Sequence, residues 1–110
     1  MASKYQYRLT QKAIDDLDGI VSYIAVELAN PAAATGFVDK LQSYIEETCL
    51  FPESGSIVIN EFLPDLIVRK KIVNNYIMYY LLNSEEKLLI VLRIVYGRRS
   101  MDEILSQLDM

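Results

Sequence analysis

The 110-residue chain contains no histidine and a single cysteine, Cys49. Without histidine a Ser–His or Cys–His nucleophile pair and a histidine general base are excluded, and so are the usual zinc ligand sets. One cysteine cannot close an intrachain disulfide, and Cys49 falls at a buried position of a helical pattern. No apolar run approaches the roughly 18 residues of a membrane span. The opening stretch, MASKYQYRLT, lacks the apolar core of a signal peptide. The expectation is a cytoplasmic protein with no membrane contact, no cofactor and no metal. Any chemistry must come from Tyr, Arg, Lys, Asp, Glu or the backbone.

Apolar residues make up 52% of the chain and charged residues 24%, a composition that folds. The length suits one domain over residues 1–110. The net charge of −4 argues against a dedicated nucleic-acid binder. Its distribution tempers that. Residues 1–66 carry −6, residues 67–101 carry +5 and the last nine carry −3. An acidic first half therefore joins a basic second half, which implies a polarised surface.

Tyr5, Tyr7 and Leu9 alternate as in a half-buried strand. Thr10 is an N-cap candidate, after which Ile14, Leu17, Ile20/Val21, Ile24 and Leu28 recur at helical spacing. Asn30-Pro31 ends this helix and starts a second, with Phe37/Val38, Leu41, Tyr44/Ile45 and Thr48/Cys49 along its inner face, so the two should form a hairpin. Residues 56–65 are ambiguous, and Pro64 argues against a central strand there. Three strands follow, at about 66–73, 76–82 and 87–96, joined by short polar turns. Ser100 with Glu103 has capping-box spacing for a short terminal helix. The expected fold is α+β, in the order β-α-α-β-β-β-α. It is a four-stranded twisted antiparallel sheet carrying an N-terminal helical hairpin and a short C-terminal helix.

Four ordered pieces carry a resemblance: Tyr7-Arg8-Leu9-Thr10 with Ala13, Asp16-Leu17, Ile20 and Tyr23-Ile24; Asn30-Pro31 with Ala33-Ala34, Phe37, Leu41 and Ile45; Pro52 with Gly55; and Val68-Arg69, Tyr76 to Tyr79, then Leu92 through Arg99. Together they resemble the ParE/RelE superfamily of bacterial toxin–antitoxin toxins, and its ParE branch in particular. The resemblance implies a toxin that binds and poisons DNA gyrase, stabilises plasmids or chromosomal islands, and is neutralised by a cognate antitoxin. The RelE branch implies instead a ribosome-dependent messenger RNA endoribonuclease. A non-toxic binding module of the same fold is a further alternative, and a homodimer stays open. Two departures from the RelE pattern favour the gyrase reading. Ile77 follows Tyr76 where a RelE-like toxin carries arginine, and no tyrosine or histidine follows Tyr96.

The candidate target- or antitoxin-binding residues are Arg69, Lys71, Arg93, Tyr96, Arg98 and Arg99, with no catalytic residue among them. Arg69 and Lys71 share a strand face, and Lys70 points the other way. Arg98 and Arg99 follow Gly97 at a strand end. Arg93 sits inside an apolar strand and has two readings: a cation presented to phosphate or antitoxin, or a structural arginine that pairs with a carboxylate such as Asp16 or Asp18 or emerges through a gap in the helical cover. The acids Asp15, Asp16 and Asp18 read as solvated helix surface. An edge of the sheet, including 56–63, is a natural docking place for an antitoxin element.

Overall fold

Thr10 closes the first strand and opens the first helix in a computed structural model that describes residues 4–59 and 66–97. Its backbone is extended, and its Oγ1 accepts from the Ala13 N–H at 3.1 Å while donating to the Leu92 carbonyl at 2.8 Å. One hydroxyl thus caps a helix and ties its start to the sheet, where cap loss alone costs about 1 kcal/mol. Strand β1 (Gln6–Leu9) precedes it and helix α1 (Gln11–Ser22) follows.

Helix α1 widens into a π-turn over Tyr23–Glu27, and Ala29 takes a left-handed φ of 49°. Asn30 then caps helix α2 (Pro31–Leu50) by accepting from the Ala33 N–H at 3.1 Å, with Pro31 in the first turn, where its missing N–H has no intrahelical role. A 3-10 turn over Pro52–Ser54 leads to strands β2 (Ser56–Val58), β3 (Val68–Val73), β4 (Tyr76–Asn83) and β5 (Leu88–Tyr96).

These form a five-stranded mixed sheet in the order β1-β5-β4-β3-β2. Two expectations are corrected together. The sheet has five strands and not four, because Ser56–Val58 pairs antiparallel with β3 at the edge, a position compatible with a proline further along the chain. It is also not wholly antiparallel, since β1 runs parallel to β5. The second correction has its reason in the helical hairpin. Helix α2 starts beside Tyr76, which Phe37 meets, and ends where the Cys49 carbonyl accepts from the Tyr5 N–H at 3.1 Å, at the end of the sheet where β1 began. The antiparallel meander β3-β4-β5 therefore starts from that end, and its last strand runs parallel to β1. The C-terminal helix expected from Ser100 onward lies outside the described residues.

The core sits on both faces of the sheet. Phe37, Leu41, Ile45 and Cys49 of α2 pack with Ala13 and Ile20 of α1 onto Val73, Met78, Tyr80, Leu89, Val91 and Ile94. Burying a side chain such as Phe37 or Leu41 contributes about 1.5–3 kcal/mol. On the other face Val58, Val68, Tyr79, Leu81, Leu92 and Val95 form a second buried cluster. Strand β5 is therefore covered on both sides, as its continuous apolar run requires.

Candidate functional site

The alternation of β5 fails at one point, and that point fixes Arg93. Tyr79 of β4 pairs with Arg93, but the next residue, Tyr80, pairs with Val91, so Leu92 is an extra residue in β5. This bulge puts Val91 and Ile94 in the helix-side cluster and Leu92 and Val95 in the opposite one, which strict alternation would not do. Arg93 reaches α1. Its Nε donates to Asp16 Oδ2 at 2.6 Å and its Nη2 to Oδ1 at 2.9 Å, while the Ile94 N–H donates to the same Oδ2 at 3.0 Å. Asp16 thus turns inward and is not solvated surface. Its side chain is 16% exposed and that of Arg93 7%. Of the two readings of Arg93, the pairing with Asp16 is the one observed.

Arg69 has a comparable commitment elsewhere. From β3 its Nη1 donates to the carbonyls of Glu53 and Gly55, both at 3.0 Å. Beside it the Tyr80 hydroxyl donates to the Pro52 carbonyl and accepts from the Gly55 N–H, each at 2.9 Å. A Cβ on Gly55 would lie 2.4 Å from that hydroxyl, so only glycine lets the turn close here. Burial pushes the Tyr80 phenol up, partly offset by the Gly55 N–H and Arg69.

Lys71 shares the helix-side face with Arg69, and with Tyr44 and Glu47 it borders a shallow depression. Lys70 pairs with Tyr79 on the other face, as strand alternation predicts. Arg98 and Arg99 lie outside the described residues. Among the described residues the predicted cations do not converge, since Arg69 and Arg93 each hold a separate internal contact.

Tyr96 leads to a different feature. Its ring lies 5.9 Å from Tyr76, which lies 5.1 Å from Phe37, both edge-to-face. Above this row Tyr23, Ile24 and Leu28 of the π-turn region close a groove of about 650 Å³ that ends at Asn74 and Asn75. Tyr23 is 51% exposed, Leu28 55% and Tyr96 46%. Asn74 adopts a left-handed φ of 57° and accepts from Lys40 Nζ at 2.7 Å, which fixes that end of the groove. Sequence reasoning found Tyr96 but not Tyr23 or Leu28 as groove residues. The available signal was Tyr23 and Val26, apolar residues lying off the buried stripe of α1.

Chemically the groove is suited to binding. Burial, with Tyr23 and Tyr96 adding to it, raises the Tyr76 phenol above its ordinary value, and burial does the same for Tyr79. Both stay protonated at neutral pH and make poor general bases. Among the described residues no group of three or more acidic, histidine or cysteine side chains could hold a metal ion. Nor is any described helix long and apolar enough to cross a membrane.

Similar folds occur in solved toxin–antitoxin complexes. The chromosomal ParDE system of P. aeruginosa contains a chain 22% identical, with a TM-score of 0.66 over 84% of this chain and 96% of that one. The archaeal RelE–RelB complex of Pyrococcus horikoshii OT3 gives 14% identity and a TM-score of 0.60 over 89% and 100%. The RelBE2 complex of Mycobacterium tuberculosis gives 18% and 0.55 over 86% and 99%. At these identities the likeness establishes the fold. No curated protein sequence matches the chain. The family described as the ParE toxin of the type II toxin–antitoxin system parDE matches residues 7–101, and with nearly the whole chain spanned, this protein belongs to that family.

Proposed function

We propose that the protein is a ParE-like toxin that binds and poisons DNA gyrase in the cytoplasm, stabilises the replicon that carries it, and is neutralised by a cognate antitoxin. The observation that carries this reading is the contrast between its cations and its aromatics. Arg69 and Arg93, which a ribonuclease would need free to stabilise charge on a scissile phosphate, are engaged by carbonyls and by Asp16. The exposed candidate surface is instead apolar and aromatic, at Tyr23, Leu28 and Tyr96. Such a surface suits protein recognition better than RNA cleavage. Lys71 and Tyr96 remain contact residues in this proposal, together with Arg98 and Arg99.

Induced expression in a host lacking the antitoxin tests it. Elongated cells with DNA breaks and intact transcripts support gyrase poisoning. Cleavage of transcripts only during translation would assign the protein to the ribosome-dependent branch, and normal growth would make it a binding module.

A further inference from the structure

The groove does not stop at Tyr23. A second depression of about 320 Å³ shares Tyr23, Tyr76 and Tyr96 with it and continues along α1 past Gly19 to Asp15 and Asp16. The two form one trough with unlike ends. Its middle is the edge-to-face row of Phe37, Tyr76 and Tyr96. Its far wall is α1, where Asp15, Gly19 and Tyr23 follow one another at four-residue spacing and so lie on one face, about 12 Å from first to last at 1.5 Å per residue.

Three features of that wall point to an occupant. Gly19 leaves it open, since a Cβ there would meet nothing within 4 Å. The π-turn and left-handed Ala29 hold the exposed Leu28 at the apolar end. Backbone irregularities of this kind concentrate at functional sites. At the other end the two aspartates differ. Asp16 is neutralised by Arg93, whereas Asp15 has among the described residues only the Gln11 amide, 3.0 Å away. The trough therefore offers an aromatic slot and, two helical turns on, one negative charge that no described cation answers.

We infer that the trough takes a segment of the antitoxin bearing an apolar or aromatic anchor beside Tyr23 and Tyr96 and a lysine or arginine about 12 Å further on, at Asp15. This rests on the antitoxin reading above and adds the place, direction and chemistry of the contact. A concave, side-chain-sized slot suits a segment laid along it rather than the flat face of a folded domain. The charge of −6 over residues 1–66 favours a basic segment.

The test is isothermal titration of the toxin with the antitoxin expressed from the gene adjoining its own. Five proteins are compared: wild type, Asp15→Lys, Gly19→Arg, Gly19→Ala and Asp18→Lys, the last an equal charge change to Asp15→Lys on α1 outside the trough. Thermal unfolding verifies the fold of each variant, and Gly19→Ala serves as a second, conservative change that should bind within about threefold of wild type. The inference expects Asp15→Lys and Gly19→Arg each to weaken binding at least tenfold at 0.1 M salt, the Asp15→Lys loss shrinking at 0.5 M salt. Asp18→Lys should change it less than threefold. Should Gly19→Arg fail to fold, Asp15→Lys against Asp18→Lys decides. Wild-type binding with all variants alike would keep the antitoxin reading and overturn the inference. No binding by wild type would overturn both. Unchanged antitoxin affinity with lost action on the target, or with altered self-association, would give the trough to the target or to a second copy and also overturn it.

Discussion

Asp16 on α1 and Arg93 on β5 are joined by two hydrogen bonds of 2.6 and 2.9 Å, and the same carboxylate also accepts the Ile94 N–H at the β5 bulge. Strand β1 pairs with β5 only as far as Val91, so beyond it α1 lies against the edge of β5 and Asp16 takes up the Ile94 N–H there. A helix, a strand irregularity and an ion pair thus hold one another in place, and the Tyr96 end of β5 is set by that anchor.

Removing one partner leaves the other charge poorly solvated. Asp16→Ala should destabilise the protein by about 3 kcal/mol and Arg93→Ala by a similar amount. Replacing both with apolar residues, as in Asp16→Leu with Arg93→Met, should cost clearly less than the two single changes combined. Urea unfolding measures all three. Additive losses would mean that the pair is not coupled.

The Tyr80 hydroxyl serves one donor and one acceptor of the turn after α2. Tyr80→Phe should cost about 1–3 kcal/mol, because the Gly55 N–H and Pro52 carbonyl lose their partner. Gly55→Ala should also destabilise, since its Cβ would meet the Lys70 carbonyl at 2.9 Å as well as the Tyr80 ring. Thermal unfolding of the two variants checks both.

Burial holds the phenols of Tyr76, Tyr79 and Tyr80 above the ordinary value of 10.0. In the unfolded chain they ionise first, so above about pH 10 the native state binds more protons than the unfolded one. Stability from this source is complete below pH 10 and is lost as pH rises through the folded-state values. The urea midpoint should therefore fall between about pH 9.5 and 11, less steeply in Tyr80→Phe. A midpoint that rises over this range would contradict the assignment.

The sequence marks Arg69 as a target or antitoxin contact, and its hydrogen bonds to the Glu53 and Gly55 carbonyls give it a structural duty. Arg69→Met should lower stability by about 1–2 kcal/mol and leave gyrase inhibition within about threefold at temperatures where the variant is folded. Full stability with lost inhibition would return Arg69 to the target interface.

What could be read in the sequence follows physical range. Local patterns were legible: the Thr10 and Asn30 caps, the inner stripe of α2 and the placing of Lys70 opposite Arg69 and Lys71 all came from spacing and side-chain type. The three-residue β2 was not, because so short an edge strand leaves no alternation to detect. The parallel direction of β5 relative to β1 was not either, because it depends on α2 ending beside Tyr5 at the start of β1, a contact 44 residues apart in the chain. The β5 bulge escaped for a different reason. An apolar run covered on both faces has no polar side to reveal a shift of register, and only Arg93 stood out. The groove is less legible still, because it depends on a π-turn and on which rings meet across α1, α2, β4 and β5.

The central claim is that this protein acts by engaging gyrase. The most direct measurement incubates the purified toxin with purified gyrase, ATP and relaxed plasmid, with and without the antitoxin. Loss of supercoiling together with trapped double-strand breaks, both reversed by antitoxin, is the predicted result. Normal supercoiling with no trapped breaks, at toxin concentrations that still stop growth or cut transcripts in a translating extract, would contradict it.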